Sequence, residues 1–254
     1  MTRWMFRSAA RMANYRSYRD TLSRDAMRDL GVDVSHDEVF PDLALALETP
    51  PPRREPDLVG VGMMNFRGRS EDRAHAASIH EQYATAMEEA VRRLIAGGWR
   101  VLLLVGDVED IPVVERVHAG VATDAPPGSV EVATIHTFEE LLEGIARTYL
   151  FMGTRYHNVL ASLSLGTPTI SISYASKNDV LMESFDLGDF CQWARAVNVD
   201  RLCEQVAALV HNHAKVRTTL ETHRPAVRAE VAQQLRSVSD DLLAIGLVRQ
   251  GGGA

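Results

Sequence analysis

From Leu58 to Ser173 short apolar runs alternate with longer amphipathic stretches, and this rhythm constrains the fold more than any other feature of the chain. Leu58–Met64 reads as an apolar strand that ends in the polar turn Asn65–Ser70. Ala76–Ile95 has the spacing of a long amphipathic helix, closed by Gly97 and Gly98. Arg100–Val105 is a continuous Val- and Leu-rich run, as expected of a strand covered on both faces. Val130–Ala133, Tyr149–Met152 and Thr169–Ser173 read as further strands, and Phe138–Ala146 and Tyr156–Leu165 as helices. Strands alternating with helices predict an α/β fold with a parallel sheet wrapped on both sides.

The flanks have a different character. Residues 1–14 read as a helix, 16–20 as a short extended segment, and Ser23 as the N-cap of a helix over Arg24–Leu30 that stops at Gly31. Glu38–Leu47 reads as a strand region broken at Pro41. Residues 49–57 hold Pro50, Pro51, Pro52 and Pro56, and proline neither extends a helix nor donates to a sheet ladder, so a linker is expected there. This divides the chain into 1–48, the linker 49–57, an α/β domain over 58–199, and C-terminal helices over 200–254 with a frayed tail from Gly251.

Composition narrows the function classes. A formal charge of −7, from 27 Lys and Arg against 34 Asp and Glu, disfavours a general nucleic-acid binder. The two cysteines, Cys191 and Cys203, make neither a CxxC pair nor a disulfide framework, so no structural zinc is expected and a reducing cytoplasm is the expected compartment. No apolar run approaches the roughly 20 residues of a membrane span. The N-terminal stretch, with Arg3, Arg7 and Arg11 around Trp4, Met5, Phe6 and Met12, reads as an amphipathic helix over a core, with room for peripheral contact at the inner membrane face.

In parallel sheets ligands bind beyond the carboxyl ends of the strands. Four polar loops lie there: Asn65–Ser70, Gly106–Asp110, Gly153–His157 and Tyr174–Asp179. The third carries the strongest signal. Gly153 permits a tight turn, Thr154 is placed to cap the next helix, Arg155 can fork onto a phosphate or carboxylate, and His157 adds a titratable donor. Lys177 brings a second cation from the neighbouring strand end. The bland reading pairs Arg155 with a local carboxylate and gives His157 to a half-buried helix position, and at this level it stays open. Other candidates read as structural: His211 and His213 as solvated histidines, Asp107 and Asp110 as a polar turn with a helix cap, Glu88 and Glu89 as a solvated helix face.

Gly153, Thr154, Arg155, His157, Ala161, Gly166, Pro168, Tyr174 and Lys177 follow the order and spacing of a motif of the polysaccharide pyruvyl transferase family, which the chain resembles. A second family element appears as Arg19, Asp20, Ser23, Leu30, Gly31, Pro41, Asp42, Ala44 and Leu45. The resemblance implies two Rossmann-like halves of GT-B type. Here they would be a C-terminal donor-binding lobe and a remnant of the N-terminal lobe, because only about 18 residues precede Arg19. A truncated or late-started product is one expectation that follows.

The family resemblance also implies an activity. The enolpyruvyl group of phosphoenolpyruvate moves onto two hydroxyls of a saccharide, giving a pyruvate ketal and free phosphate in cell-surface polysaccharide biosynthesis. His157 becomes the catalytic residue, with Arg19, Arg155, Tyr174, Lys177 and Asn65 as substrate-binding residues. No metal and no cofactor are implied, phosphoenolpyruvate being the donor substrate. The partners are that donor and a saccharide acceptor, with room for a homo-oligomer or a partner lobe. The rival readings are a nucleotide-sugar glycosyltransferase or epimerase of GT-B type, and a non-catalytic degenerate transferase half.

Overall fold

Six short strands, all parallel, form the central sheet of the chain; the inner strands are nearly or wholly buried, while the two edge strands are only partly so. The computed structural model describes residues 2–133 and 135–244. Two compact units are present: one is Glu48–His223, and the other takes in the described residues up to Leu47 together with those from Arg224 onward.

In the larger unit the strands are β3 (Leu58–Met63), β4 (Arg100–Val105), β5 (Val130–Ala133), β6 (Leu150–Gly153), β7 (Thr169–Ser173) and β8 (Cys191–Trp193), the first two strands of the chain lying in the other unit. Their spatial order is β5-β4-β3-β6-β7-β8, the doubly wound Rossmann order. The connecting helices are α3 (Ala76–Ala96), α4 (Ile111–Ala122), α5 (Phe138–Ala146), α6 (Tyr156–Ser164), α7 (Ser176–Glu183) and α8 (Val199–His211). Side chains alternate across the sheet: Val101 and Leu103 join Val59 and Val61 in the core under α3 and α4, while Leu102 and Leu104 meet Leu141, Ile145 and Phe151 on the opposite face.

Several sequence expectations are corrected here. α4 reads poorly as a helix because its buried stripe, Val113, Val114, Val117 and Val121, is β-branched, yet the stripe has helical spacing and Pro112 occupies its first turn. The presumed loop Tyr174–Asp179 begins α7, and β8 adds an unforeseen edge strand. The proline-rich segment is tied down rather than loose: Arg53 and Glu55 donate their backbone N–H groups to the carbonyls of Ala146 and Arg147 at 2.9 and 2.8 Å. His213 is stacked on Tyr149, with ring centroids 3.7 Å apart, so it is not a solvated histidine. Glu88 and Glu89 pair with Arg92 and Arg93.

The smaller unit holds α1 (Thr2–Met12), α2 (Thr21–Asp29) and a parallel pair, β1 (Ser17–Tyr18) with β2 (Glu38–Val39). Asp20, not Ser23, caps α2, accepting from the Ser23 N–H at 2.6 Å. Gly31 follows the helix with φ 78°, where a side chain would strain the backbone. The strand expected over Glu38–Leu47 is β2 followed by a 3-10 turn at Leu43–Ala46, which Asp42 caps. The last helix, α9 (His213–Ala244), contributes residues to both units. The tail expected beyond Ala244, and Met1, lie outside the described residues. Among the described residues no helix is long and apolar enough to cross a membrane.

Candidate active site

β3 and β6 are neighbours, but the connections that follow them run to opposite sides of the sheet, to β4 on one side and to β7 on the other. The crevice beyond their carboxyl ends is the topological switch point, where this architecture places its ligands. Asn65 follows β3 there, and Thr154, Arg155 and His157 follow β6.

Thr154 has no contact with solvent and binds the switch point together. Its hydroxyl meets the Tyr83 hydroxyl from α3 at 2.6 Å, its N–H donates to the Gly62 carbonyl at 2.9 Å, and its carbonyl accepts from Asn178 of α7 at 3.2 Å. Burial leads in pushing the Tyr83 phenol up to about 12, so it stays protonated and also accepts from the Met64 N–H at 3.2 Å. Thr154 therefore does not cap α6 as expected. Arg155 occupies the cap position and no side chain caps the helix, so its first amides are left without a side-chain acceptor.

Arg155 forks onto Asp110, through Nε to Oδ2 and Nη2 to Oδ1, both at 2.8 Å. Asp110 is completely buried and also accepts from the Asn65 N–H at 2.8 Å. The pairing with a local carboxylate, left open at the sequence level, is the one realised. Asp110 is a clamp for two loops rather than a helix cap, whereas Asp107 does cap, accepting from Glu109 N–H at 3.1 Å. The hydrogen bonds to Asp110 raise the Arg155 pKa further, so its charge is permanent. Among the described residues Nη1 of Arg155 has no hydrogen-bond partner.

His157 is exposed, its ring edge-on to Tyr156 at 5.4 Å. It is not the half-buried helix histidine of the bland reading. Lys177 sits between two rings, its Nζ 5.2 Å from the Tyr156 centroid and 4.8 Å from that of Tyr174. Tyr174 and Lys177 are thereby brought to the start of α6. Asp179, a conceivable partner of Lys177, instead accepts from the Ser173 hydroxyl. Asn65, Arg155, His157, Tyr174 and Lys177 thus gather at the carboxyl ends of β3, β6 and β7. Arg19 belongs to the smaller unit, with Asp20 at 3.7 Å and Asp42 at 3.4 Å.

Beside His157 a cavity of about 660 Å³ opens between the ends of β4 and β5 and the helices α4 and α5. His136 and Asn158 line it with His157. Asn158 is 2% exposed, and its Nδ2 is buried without a hydrogen-bond partner. Gly62 and Gly106 make room for it, since a Cβ at either would lie 2.8 Å from that nitrogen. Sequence reasoning gave Asp110 only a place in a polar turn, and it missed Asn158 and His136. The one local signal was an asparagine buried in the otherwise apolar run that follows His157. Among the described residues no group of three His, Cys, Asp or Glu is arranged to hold a metal ion.

Three solved structures are similar to the chain. TarM aligns with TM-score 0.55 at 11% identity, over 96% of this chain and 45% of TarM. The calicheamicin glycosyltransferase CalG4 aligns with TM-score 0.51 at 15% identity, over 89% of this chain and 61% of CalG4. A mutant O-GlcNAc transferase of Thermobaculum terrenum aligns with TM-score 0.51 at 12% identity, over 80% of this chain and 38% of that one. The likeness is one of fold, that of GT-B glycosyltransferases, and the chain spans less than two thirds of each protein's length. None of the curated proteins matches the chain. The profile of polysaccharide pyruvyl transferases matches residues 1–176, which include Asn65, Arg155, His157 and Tyr174. The chain belongs to the polysaccharide pyruvyl transferase family.

Proposed function

We propose that the chain moves the enolpyruvyl group of phosphoenolpyruvate onto a saccharide, in the cytoplasm, for a cell-surface polysaccharide. In the first step a sugar hydroxyl adds to C2 of the donor and gives up its proton, while the C3 methylene takes a proton. The C2–O bond to phosphate then breaks, phosphate taking the electron pair, and a second hydroxyl adds to C2 to close the ketal and releases its proton. This chemistry needs a proton donor in reach of C3 and fixed positive charge for the phosphate. His157 is the proton donor in this reading. The uncapped start of α6, Lys177 and the unengaged Nη1 of Arg155 supply the positive charge, and Asp110 holds the guanidinium and the Asn65 loop in place.

The observation that carries the reading is the exposed His157 at the uncapped N-terminus of α6, within the span that matches the family. Titration calorimetry with phosphoenolpyruvate tests it. Binding that weakens at least tenfold in His157→Ala and in Lys177→Gln supports the assignment. Binding of UDP-glucose in place of phosphoenolpyruvate would support a nucleotide-sugar transferase instead, and binding of neither a non-catalytic lobe.

A further inference from the structure

The cavity beside His157 is far more apolar than phosphoenolpyruvate requires. Val105, Val114 and Leu141 line it, and so do Val108, Ile111 and Val132. The last three are 78, 40 and 42% exposed and are the exposed large hydrophobic residues described within Glu48–His223. That every one of them opens onto a single cavity marks it as a ligand-binding surface rather than scattered surface residues. Its volume of about 660 Å³ lies within the range of about 300–1,000 Å³ typical of small-molecule pockets.

The cavity has two ends. At the α6 end stand His157 and Asn158, the latter with a buried amide nitrogen that lacks a partner. Away from α6 the wall is mostly hydrocarbon, interrupted by His136 and Thr137. A three-carbon acid phosphate, anionic at both ends, gains nothing from that wall and would lose hydration against it. The rim residues Asp107 and Glu115 are carboxylates, which oppose a diphosphate and suit a neutral ligand whose hydroxyls donate hydrogen bonds.

We infer that this cavity seats the acceptor, and that the acceptor carries a neutral apolar aglycone. The sugar hydroxyls reach toward His157 and Asn158, and the aglycone lies along Val108, Ile111 and Val132. The assignment of the sugar as acceptor rests on the function proposed above; the apolar subsite itself does not.

A homologous series of methyl, butyl and hexyl glucosides, titrated below their micelle concentrations, tests the subsite, with phenyl glucoside separating an aromatic from an alkyl aglycone. At about 0.8 kcal/mol per buried methylene, affinity should rise about fourfold with each added carbon. Val108→Asp and Val132→Asp replace exposed side chains, so the thermal midpoint should hold while the dependence on chain length disappears. Affinity independent of chain length, no binding of the hexyl and phenyl glucosides, or the same dependence in both variants would overturn the inference. Chain-length dependence with no phosphoenolpyruvate binding would sink the proposed transfer and leave the apolar subsite standing.

Discussion

Arg155 and Asp110 lock the loops that follow β6 and β4 through two parallel hydrogen bonds of 2.8 Å, with Asp110 wholly buried and the Arg155 side chain 27% exposed. The same carboxylate accepts from the Asn65 N–H, so one buried charge sets three loops at the switch point. Such pairs are dear to break from one side, because the remaining charge stays buried.

Asp110→Asn keeps an acceptor but removes the charge. We expect a loss of about 2–4 kcal/mol in urea unfolding, and weaker phosphoenolpyruvate binding as Arg155 loses its anchor. An unchanged urea midpoint would show that the clamp is not structural.

Tyr83→Phe deletes one hydroxyl and leaves the Thr154 hydroxyl and the Met64 N–H without their partner. A cost of about 1–2 kcal/mol follows for buried groups left unsatisfied. Because Thr154 also ties β6 to β3 and α7, amide exchange at Thr154 and Asn178 should quicken more than exchange across β4.

Lys177→Met keeps a flexible unbranched side chain beside Tyr156 and Tyr174 while removing the charge that lies over both rings. Folding stability should move by less than about 1 kcal/mol, and phosphoenolpyruvate affinity should fall about tenfold, as for loss of one charge-assisted hydrogen bond. Equal affinity in variant and parent would remove Lys177 from the donor site.

His213 gives the protein an acid-sensitive contact. Burial leads in lowering its pKa below the ordinary 6.5, and its Nε2 lies 3.0 Å from the Tyr149 carbonyl. The native state therefore holds the proton less tightly than the unfolded chain does. The resulting stability is present above pH 6.5 and is lost as pH falls through the window between 6.5 and the lower folded value. Thermal midpoints taken from pH 7.5 down to 5.5 should drop more steeply for the parent than for His213→Phe, which stacks on Tyr149 without titrating.

The amino-acid sequence alone determined the local elements whose periodicity is unbroken. Arg100–Val105, Val130–Ala133, Phe138–Ala146 and Thr169–Ser173 have the bounds read from their residues, because burial on one or both faces is written directly into the spacing of apolar side chains. It also located the β6–α6 loop as the place where Arg155 and His157 project. α4 escaped because its valines favour strands locally and only the packing under β4 makes them helical. Tertiary structure alone decided the partners: Asp110, 45 residues before Arg155, took two of its guanidinium nitrogens, and Thr154 turned to Tyr83, 71 residues away, instead of capping α6. Asn158 and the apolar cavity were equally hidden. Pairings and hollows between strand ends depend on which loops the sheet order brings together, and no short-range pattern in a chain encodes that.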